Sequence, residues 1–209
     1  MTIVKVLLTK ILRILDRTSF ILILVLVSIL FKLFIDLQQQ VITTKKPITT
    51  LDSIVIAMSK LKCPPDYIEP YALVINSNCN HFKVDWKWIV AKMRCESNFD
   101  PSLKSFVATK LKGDKEREYA VGLMQLKPSA AKEAANELGD VYSYEKLFDG
   151  ITSIKWATYY FSKKLIRYYY NYERAVRAYN MGDQGIKDSI ELSDNHWNKV
   201  LTVYHLIGE

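Results

Sequence analysis

An unbroken apolar segment near the amino terminus constrains this chain more than any other feature of its sequence. Between Phe20 and Phe31 only Ser28 is polar, and apolar residues resume after Lys32. As a helix rising 1.5 Å per residue, residues 19–35 would be about 25 Å long. That length approaches the hydrocarbon core of a bilayer, about 30 Å, and the lysine near its end can extend its amine to the headgroups. The run has no polar face, so it predicts a transmembrane helix at residues 19–36.

Basic residues precede this segment and indicate its orientation. Lys10, Arg13 and Arg17 stand at helical spacing, as in a basic stretch on the inner leaflet. The positive-inside rule makes residues 1–18 a cytoplasmic segment and puts everything after residue 36 outside the membrane, on the periplasmic or extracytoplasmic side. A cleaved signal peptide is the alternative, but no small-x-small cleavage motif follows the run. We therefore expect an uncleaved, single-pass signal anchor in the cytoplasmic membrane.

Two further segments follow the predicted anchor. Residues 37–50 are polar, include the run QQQVITTKKPITT and have no apolar stripe, which is typical of a tether. Residues 51–209 are long enough to bury one core of their own. The sequence thus predicts one extracytoplasmic domain on a short linker.

Charge and cysteine content narrow the classes of function. A net charge of +7 favours an anionic partner, which is a membrane surface, an acidic polymer or nucleic acid; the outward topology argues against nucleic acid. Neither a C-x-x-C pair nor an H-E-x-x-H motif occurs, so we expect no metal and no cofactor. Cys63 and Cys79 are either a disulfide pair or separate thiols.

The domain after residue 50 is predicted to be all-α. Alternating strand patterns and Asn-Gly or Asp-Gly hairpin signals do not occur. Helical periodicity, caps and flanking Pro or Gly residues instead predict a compact bundle of about six to eight helices. The clearest of them are Tyr67–Val74, Trp86–Ser97, Ser129–Leu138, Ile151–Tyr169, Glu173–Tyr179 and Asn195–Ile207.

One of these helices carries a carboxylate in line with its apolar face. Trp86, Ile89, Val90 and Met93 follow the spacing of a buried stripe, and Glu96 comes three residues later. A charge in that position costs several kcal/mol unless it is paired, hydrogen-bonded or protonated. Either Glu96 pairs with a Lys or Arg or reaches water at a frayed helix end, or desolvation raises its pKa toward about 6 and makes it a proton donor.

Short motifs elsewhere in the domain extend this observation. Together they resemble the SLT-type lytic transglycosylases, goose-lysozyme-like enzymes that cut bacterial peptidoglycan, over most of residues 65–205. The segment from Leu147 to Phe161 is similar to the family's helix between its second and third motifs. In chain order the motifs are Glu96-Ser97-Asn98-Phe99 with Pro101, Ser105, Gly122-Leu123-Met124-Gln125, and Ala178-Tyr179-Asn180 with Gly182.

The resemblance implies a lysozyme-like helical fold and a role for each matching residue. Glu96 stands where the family has its single catalytic acid and base. The implied substrate-binding residues fall into three groups. Ser105 would hydrogen-bond near that glutamate or the substrate, and Gly122, Met124 and Gln125 would form the cleft floor, with the Gln125 amide offered to the sugars. Tyr179 and Asn180 would face Glu96 from a later helix.

The implied reaction cleaves the MurNAc-β-1,4-GlcNAc bond and closes a 1,6-anhydro-MurNAc end without a cofactor. The implied partners are peptidoglycan strands, the membrane and components of a cell-envelope assembly. Two alternatives stay open: a goose-type hydrolase that uses water, and a non-catalytic wall-binding or assembly protein. The chain departs from the family pattern chiefly in residues 106–119, a longer charged segment that is either a solvated loop or a lid.

Overall fold

A computed structural model describes residues 5–7, 9–10, 22, 25–35, 49–106, 119–188 and 194–208. The chain divides into two compact units, Met1–Ile48 and Thr49–Glu209. Within the first unit, residues 25–35 are helical. None of the helices in the described ranges is both long and apolar enough to cross a bilayer. The anchor predicted at 19–36 lies partly outside these ranges, and so does most of the predicted linker.

The second unit is built from seven α-helices and one 3₁₀ turn within its described residues. The helices are α1 (Thr50–Lys60), α2 (Pro65–Phe82), α3 (Trp86–Ser97), α4 (Pro128–Glu137), α5 (Gly150–Arg167), α6 (Tyr172–Asp188) and α7 (Asp194–Gly208), and the 3₁₀ turn is Glu145–Phe148. Helix α5 packs against α2, α4 and α6, and α3 packs against α7. The helical class predicted from the sequence is confirmed.

A short β-hairpin corrects the all-α prediction. Strands β1 (Lys104–Phe106) and β2 (Tyr119–Val121) pair antiparallel, with Ser105 opposite Ala120. Each strand has only three residues, too few for an alternating pattern to stand out in the sequence. The charged segment between the strands lies outside the described residues for positions 107–118, so the choice between loop and lid stays open.

Local signals explain where several helices begin. Thr49 and Asp52 form a capping box before α1, which shortens the predicted linker because the helix starts at its last residue. The side chain of Asp85 accepts the amide proton of Lys87 at 3.0 Å and caps α3 as predicted. Helix α6 continues past the predicted end at Tyr179, since the chain kinks at Gly182 and then resumes a helical path to Asp188.

The core surrounds helix α3. Ile89, Val90 and Met93 are fully buried, as the apolar stripe predicts. The ring of Trp88 stacks on Trp197 at 5.4 Å and on Tyr204 at 4.2 Å between centroids. These aromatic contacts hold α7, a helix from the end of the chain, against the amino-terminal half of α3.

The cysteines of the domain are all free thiols in the structure. Cys63 and Cys79 are both buried. Burial raises the pKa of the Cys63 thiol to about 11 and that of the Cys79 thiol to about 12. They therefore act as small apolar core residues, the second of the two alternatives left open by the sequence.

The turn after β2 depends on a glycine for two separate reasons. Gly122 has φ +75°, and a Cβ at this position would lie 2.0 Å from the backbone oxygen of Leu147. Gly139 has a similar φ of +70° with open space around it. A substitution at Gly139 therefore tests backbone strain alone, whereas a substitution at Gly122 tests strain and packing together.

We expect Gly139→Ala to lower the free energy of unfolding by about 1 kcal/mol, the strain of a left-handed alanine. Gly122→Ala adds a collision with a backbone atom that cannot rotate away, so we expect a further loss of about 2 kcal/mol or more. Urea unfolding of both variants measures the difference. Equal losses would show that the contact with Leu147 relaxes freely.

Candidate active site

A cleft of about 550 Å³ opens beside the end of helix α3. Its wall contains five of the seven residues that the sequence predicts for the site. Gly122 and Met124 are buried behind the floor instead of lining it. The cleft is lined by Glu96, Ser105, Ala120, Gln125, Leu126, Lys127, Ser129, Ala130, Glu133, Tyr160, Tyr179, Asn180 and Gly182.

Glu96 lies at the inner wall of this cleft in a buried ion pair. Its side chain is 12% exposed, and its Oε1 is 2.9 Å from Nζ of Lys92, whose side chain is fully buried. The two residues are four apart on α3 and so share a helix face. Because both charges are removed from water, each depends on the other for its stabilisation.

This ion pair is the first of the two alternatives that the sequence left open for Glu96. Desolvation alone would raise the pKa of the carboxyl, as the sequence analysis anticipates for a proton donor. The charge of Lys92, together with His196, instead lowers the pKa from its ordinary 4.5 to about 2. In this structure Glu96 is therefore a carboxylate at neutral pH, which is the form that accepts a proton.

His196 reaches Glu96 from the far end of the chain. Its Nε2 is 3.5 Å from Oε1 of Glu96. The neighbouring Trp197 stacks on Trp88 of α3. This stack fixes the rotation of α7 about its own axis, and in that orientation His196 faces Glu96. The imidazole adds a positive charge beside the carboxylate only when it is protonated.

Tyr179 faces the ion pair from helix α6. The Lys92 amine lies 3.8 Å from the centroid of its ring, a cation–π contact in a buried setting. The Tyr179 hydroxyl donates to the backbone oxygen of Met124 at 2.9 Å. Burial, followed by the charge of Glu96, raises the pKa of Tyr179 well above its ordinary value. The phenol is therefore a neutral hydrogen-bond donor. Its hydroxyl is engaged by Met124, and its ring contacts the Lys92 amine.

Three hydroxyl groups hold the backbone of the turn formed by residues 122–125. Ser97 donates to the oxygen of Leu123 at 2.7 Å, and Tyr179 donates to Met124 as described above. The Met124 amide donates to Oγ of Ser153 at 3.4 Å. Helices α3, α5 and α6 thus each satisfy a buried backbone group of the turn, and this fixes the cleft floor against them.

Gln125 contributes to the cleft in a different way from the one predicted. Its amide nitrogen donates to the backbone oxygens of Leu103, at 3.0 Å, and Gly122, at 2.8 Å. The NH₂ group is therefore engaged within the protein and is not offered to a sugar. Its Oε1 is buried and, within the described residues, has no hydrogen-bond partner, so one acceptor of the amide is left unsatisfied.

Ser105 and Asn180 line the cleft at opposite walls. Ser105 lies on β1, and no hydrogen bond joins it to Glu96 among the described residues. Asn180 is exposed at the cleft wall on α6. Both positions suit contacts with a bound molecule more than with the carboxylate, which narrows the role inferred for Ser105.

The sequence analysis missed three charged or titratable residues near the site. Lys92 had a visible signal, because a lysine four residues before a glutamate on a helix predicts an ion pair. His196 had none, since its contact depends on how α7 packs. Glu133, a second carboxylate at the cleft, is exposed and pairs with Lys163; only the packing of α4 against α5 brings it there.

Comparisons with known proteins agree with this arrangement at the level of the family. A model of the transglycosylase SLT domain matches residues 74–201, which contain every predicted site residue. An inactive variant of the lytic transglycosylase Slt from Pseudomonas aeruginosa is 24% identical, covers 65% of this chain and 22% of its own, and has a TM-score of 0.44. The soluble lytic transglycosylase Slt70 from Escherichia coli is 19% identical over 64% of this chain and 22% of its own, with a TM-score of 0.46. This chain thus spans about a fifth of the length of these solved proteins.

The low pKa of Glu96 makes part of the stability of the domain dependent on pH. The folded-state pKa of about 2 lies below the ordinary 4.5 of an unfolded glutamate, so the unfolded chain binds more protons between these values. The stabilisation is complete above about pH 5 and is lost as the pH falls toward 2. At about 1.4 kcal/mol per unit, it amounts to about 3 kcal/mol.

Urea unfolding at several pH values between 2.5 and 6 measures this contribution. The control is the double variant Lys92→Met/Glu96→Gln, which removes both charges and leaves no buried ion unpaired. We expect the wild type to lose more stability than the double variant on acidification. Parallel curves for the two proteins would contradict the assigned pKa.

Proposed function

The chain belongs to the transglycosylase SLT domain family, and on that premise we propose that it is a lytic transglycosylase that cleaves the glycan strands of peptidoglycan. The observation that carries this proposal is the position of Glu96. Its carboxyl group lies at the inner wall of a cleft that Gln125, Tyr179 and Asn180 also line. The cleft, about 550 Å³ in volume, is of the size that holds small ligands, so part of a sugar strand can reach the carboxyl.

One carboxyl group can perform both halves of the proposed reaction. Protonated Glu96 gives its proton to the oxygen between MurNAc and GlcNAc, the bond from this oxygen to C1 of MurNAc breaks, and GlcNAc leaves as an alcohol. The substrate's acetamido group stabilises the positive charge at C1. The 6-hydroxyl of MurNAc then bonds to C1, and the Glu96 carboxylate takes the hydroxyl proton. The proton balance closes, the product has a 1,6-anhydro ring, and no water is consumed.

The other cleft residues would bind and orient the strand. The Oε1 of Gln125 has no partner within the described residues but is buried, so it can accept a hydrogen bond from a sugar hydroxyl or amide only after the side chain shifts toward the cleft. Asn180 and Ser105 supply polar groups at the two walls. Tyr160, whose ring meets that of Tyr179 at 5.7 Å between centroids, supplies an apolar face against which a sugar ring can pack.

Two alternatives differ from this proposal in chemistry. In a goose-type hydrolase, water attacks C1 and the product keeps a reducing end; the second carboxylate at the cleft, Glu133, is the feature that favours it, since a pair of carboxylates serves hydrolysis. In a wall-binding or assembly protein of a cell-envelope machine, the cleft holds glycan without cleaving it. The analysis of products below distinguishes all three.

We further propose that the domain works outside the cytoplasmic membrane, attached to it by residues 19–36. The apolar run in the sequence and the basic residues before it support this topology. An enzyme tethered by a linker of about a dozen residues would reach only the wall close to the membrane, at about 5–6 Å times the square root of the linker length for a flexible chain. Local opening of the wall for an envelope assembly would follow from this restriction.

Incubation of the purified protein with peptidoglycan, followed by mass spectrometry, tests the reaction. We expect released muropeptides that end in 1,6-anhydro-MurNAc, because the carboxylate acts on the 6-hydroxyl. Reducing ends would instead support the hydrolase. Binding of glycan without release would support the wall-binding protein.

Glu96→Gln should reduce this release by at least about 10³-fold, since the amide neither donates nor accepts the reacting proton. The variant also leaves the buried Lys92 without its counter-charge, so we expect a loss of stability. The double variant Lys92→Met/Glu96→Gln restores a neutral interior and is the folded control. Release by this control at the wild-type rate would remove Glu96 from the mechanism.

A carboxy-terminal reporter that is active only outside the cytoplasm tests the proposed topology. We expect activity for the full chain and none for a chain that lacks residues 1–36. The carboxy-terminal helix α7 ends at Gly208, so a fusion with a flexible spacer leaves the domain intact. A silent fusion to a stably expressed full chain would reverse the orientation.

A further inference from the structure

Lys92 is an unusual residue for the interior of this domain. Its side chain is fully buried, although a lysine ammonium is rarely removed from water unless it has a partner. Two groups surround the amine: Oε1 of Glu96 at 2.9 Å and the ring of Tyr179 at 3.8 Å from its centroid. The amine thus lies between the carboxyl group of the cleft and the aromatic ring opposite it.

We propose that Lys92 is a positioning residue that holds Glu96 as a carboxylate and thereby limits proton donation to acidic conditions. The inference rests on the proposed function for its catalytic consequence. Its electrostatic part stands on the geometry of the pair alone. In this arrangement one carboxyl oxygen is held by Lys92, which determines the rotamer of Glu96 and leaves the second oxygen for a substrate.

The position of Glu96 on its helix explains why a counter-charge has such an effect. Glu96 is the penultimate residue of α3, where the partial negative charge of the helix end disfavours a carboxylate. Burial disfavours it further. Without Lys92, the helix end and burial would both raise the pKa of the Glu96 carboxyl and keep it protonated to higher pH. With Lys92 present, its positive charge outweighs these two effects and the pKa is lowered.

A lower pKa of Glu96 has two opposite effects on catalysis: it makes the carboxyl a stronger acid, and it reduces the fraction of molecules in which the carboxyl is protonated. A stronger acid donates its proton more readily. However, when the pKa of the acid falls by one unit, the rate constant of proton donation rises by less than tenfold. Above that pKa, the protonated fraction falls tenfold per unit of pH. Near neutrality the loss of population is therefore larger than the gain in acid strength, and Lys92 reduces the rate of the first step.

The remaining groups near Glu96 do not duplicate this role. His196 from α7 lies 3.5 Å away and carries a positive charge only when it is protonated. Tyr179 from α6 is a neutral phenol at these pH values. The adjacent Cys95 has a thiol pKa raised by burial and by Glu96, so it too is neutral. Lys92 is the cation in hydrogen-bonding contact with the carboxylate.

A role in stability alone would not explain the arrangement. A buried ion pair contributes little more to stability than apolar side chains of similar volume. A methionine at position 92 would fill much the same space without a charge. The measurable property that separates the two interpretations is the pH dependence of catalysis, which a lysine that acts only in folding would leave unchanged.

The first experiment compares the pH profiles of kcat/KM for the full-length wild type and Lys92→Met. We expect the alkaline limb of the profile, which reports the loss of protonated Glu96, to move upward by at least one pH unit in the variant. Activity on the alkaline side should then rise, by less than tenfold for each unit that the limb moves, because the weaker acid donates its proton less readily. The control Lys87→Met removes the same charge from another position of α3, beside Tyr204, and should leave the limb where it is. An unmoved limb in Lys92→Met, or an equal shift in Lys87→Met, would overturn the proposal.

The second experiment measures the carboxyl group without relying on activity. Carbon-13 NMR of the wild type, with the Glu96 signal assigned by its absence in Glu96→Gln, should show an ionised carboxyl at pH 4. Uptake of the proton at pH 5 or above would overturn the proposal. If no anhydro product forms with any variant, the proposed reaction fails, while this titration still decides whether Glu96 is held as a carboxylate.

Discussion

The buried contact between Lys92 and Glu96 is the interaction on which the arrangement of this domain depends. It places a charged pair where a helix stripe would otherwise be apolar, so the residues around it must accommodate both charges. Tyr179 covers the amine with its ring, and α7 brings His196 to the carboxylate. Three helices therefore meet around one ion pair, and the cleft opens at the side where the carboxylate is still reachable.

The cleft floor is rigid for a related reason. The turn at residues 122–125 has little regular structure, and its buried backbone groups need partners. Ser97, Ser153 and Tyr179 supply them from three different helices. Ser97 and Ser153 have short side chains, so the turn must lie close to α3 and α5. The longer side chain of Tyr179 reaches the turn from α6. The geometry of the floor is thus coupled to the same helices that position Glu96.

Chemistry at this site consequently depends on electrostatic balance more than on the number of carboxylates. Glu96 has the acceptor form in the structure, which suits the second half of an acid–base cycle. The first half requires the protonated form, and the groups around the carboxyl decide how often that form occurs.

The sequence by itself determined the helical class, the buried stripe of α3, the cap at Asp85 and the position of Glu96 in line with that stripe, because these follow from periodicity and turn chemistry within a few residues. The short strands were too brief to predict. Tertiary structure alone decided the burial of the Lys92–Glu96 pair, the internal use of the Gln125 amide and the approach of His196. The physical reason is that burial, charge and hydrogen bonding depend on residues about 20 to 100 positions apart, which meet only once the helices have packed.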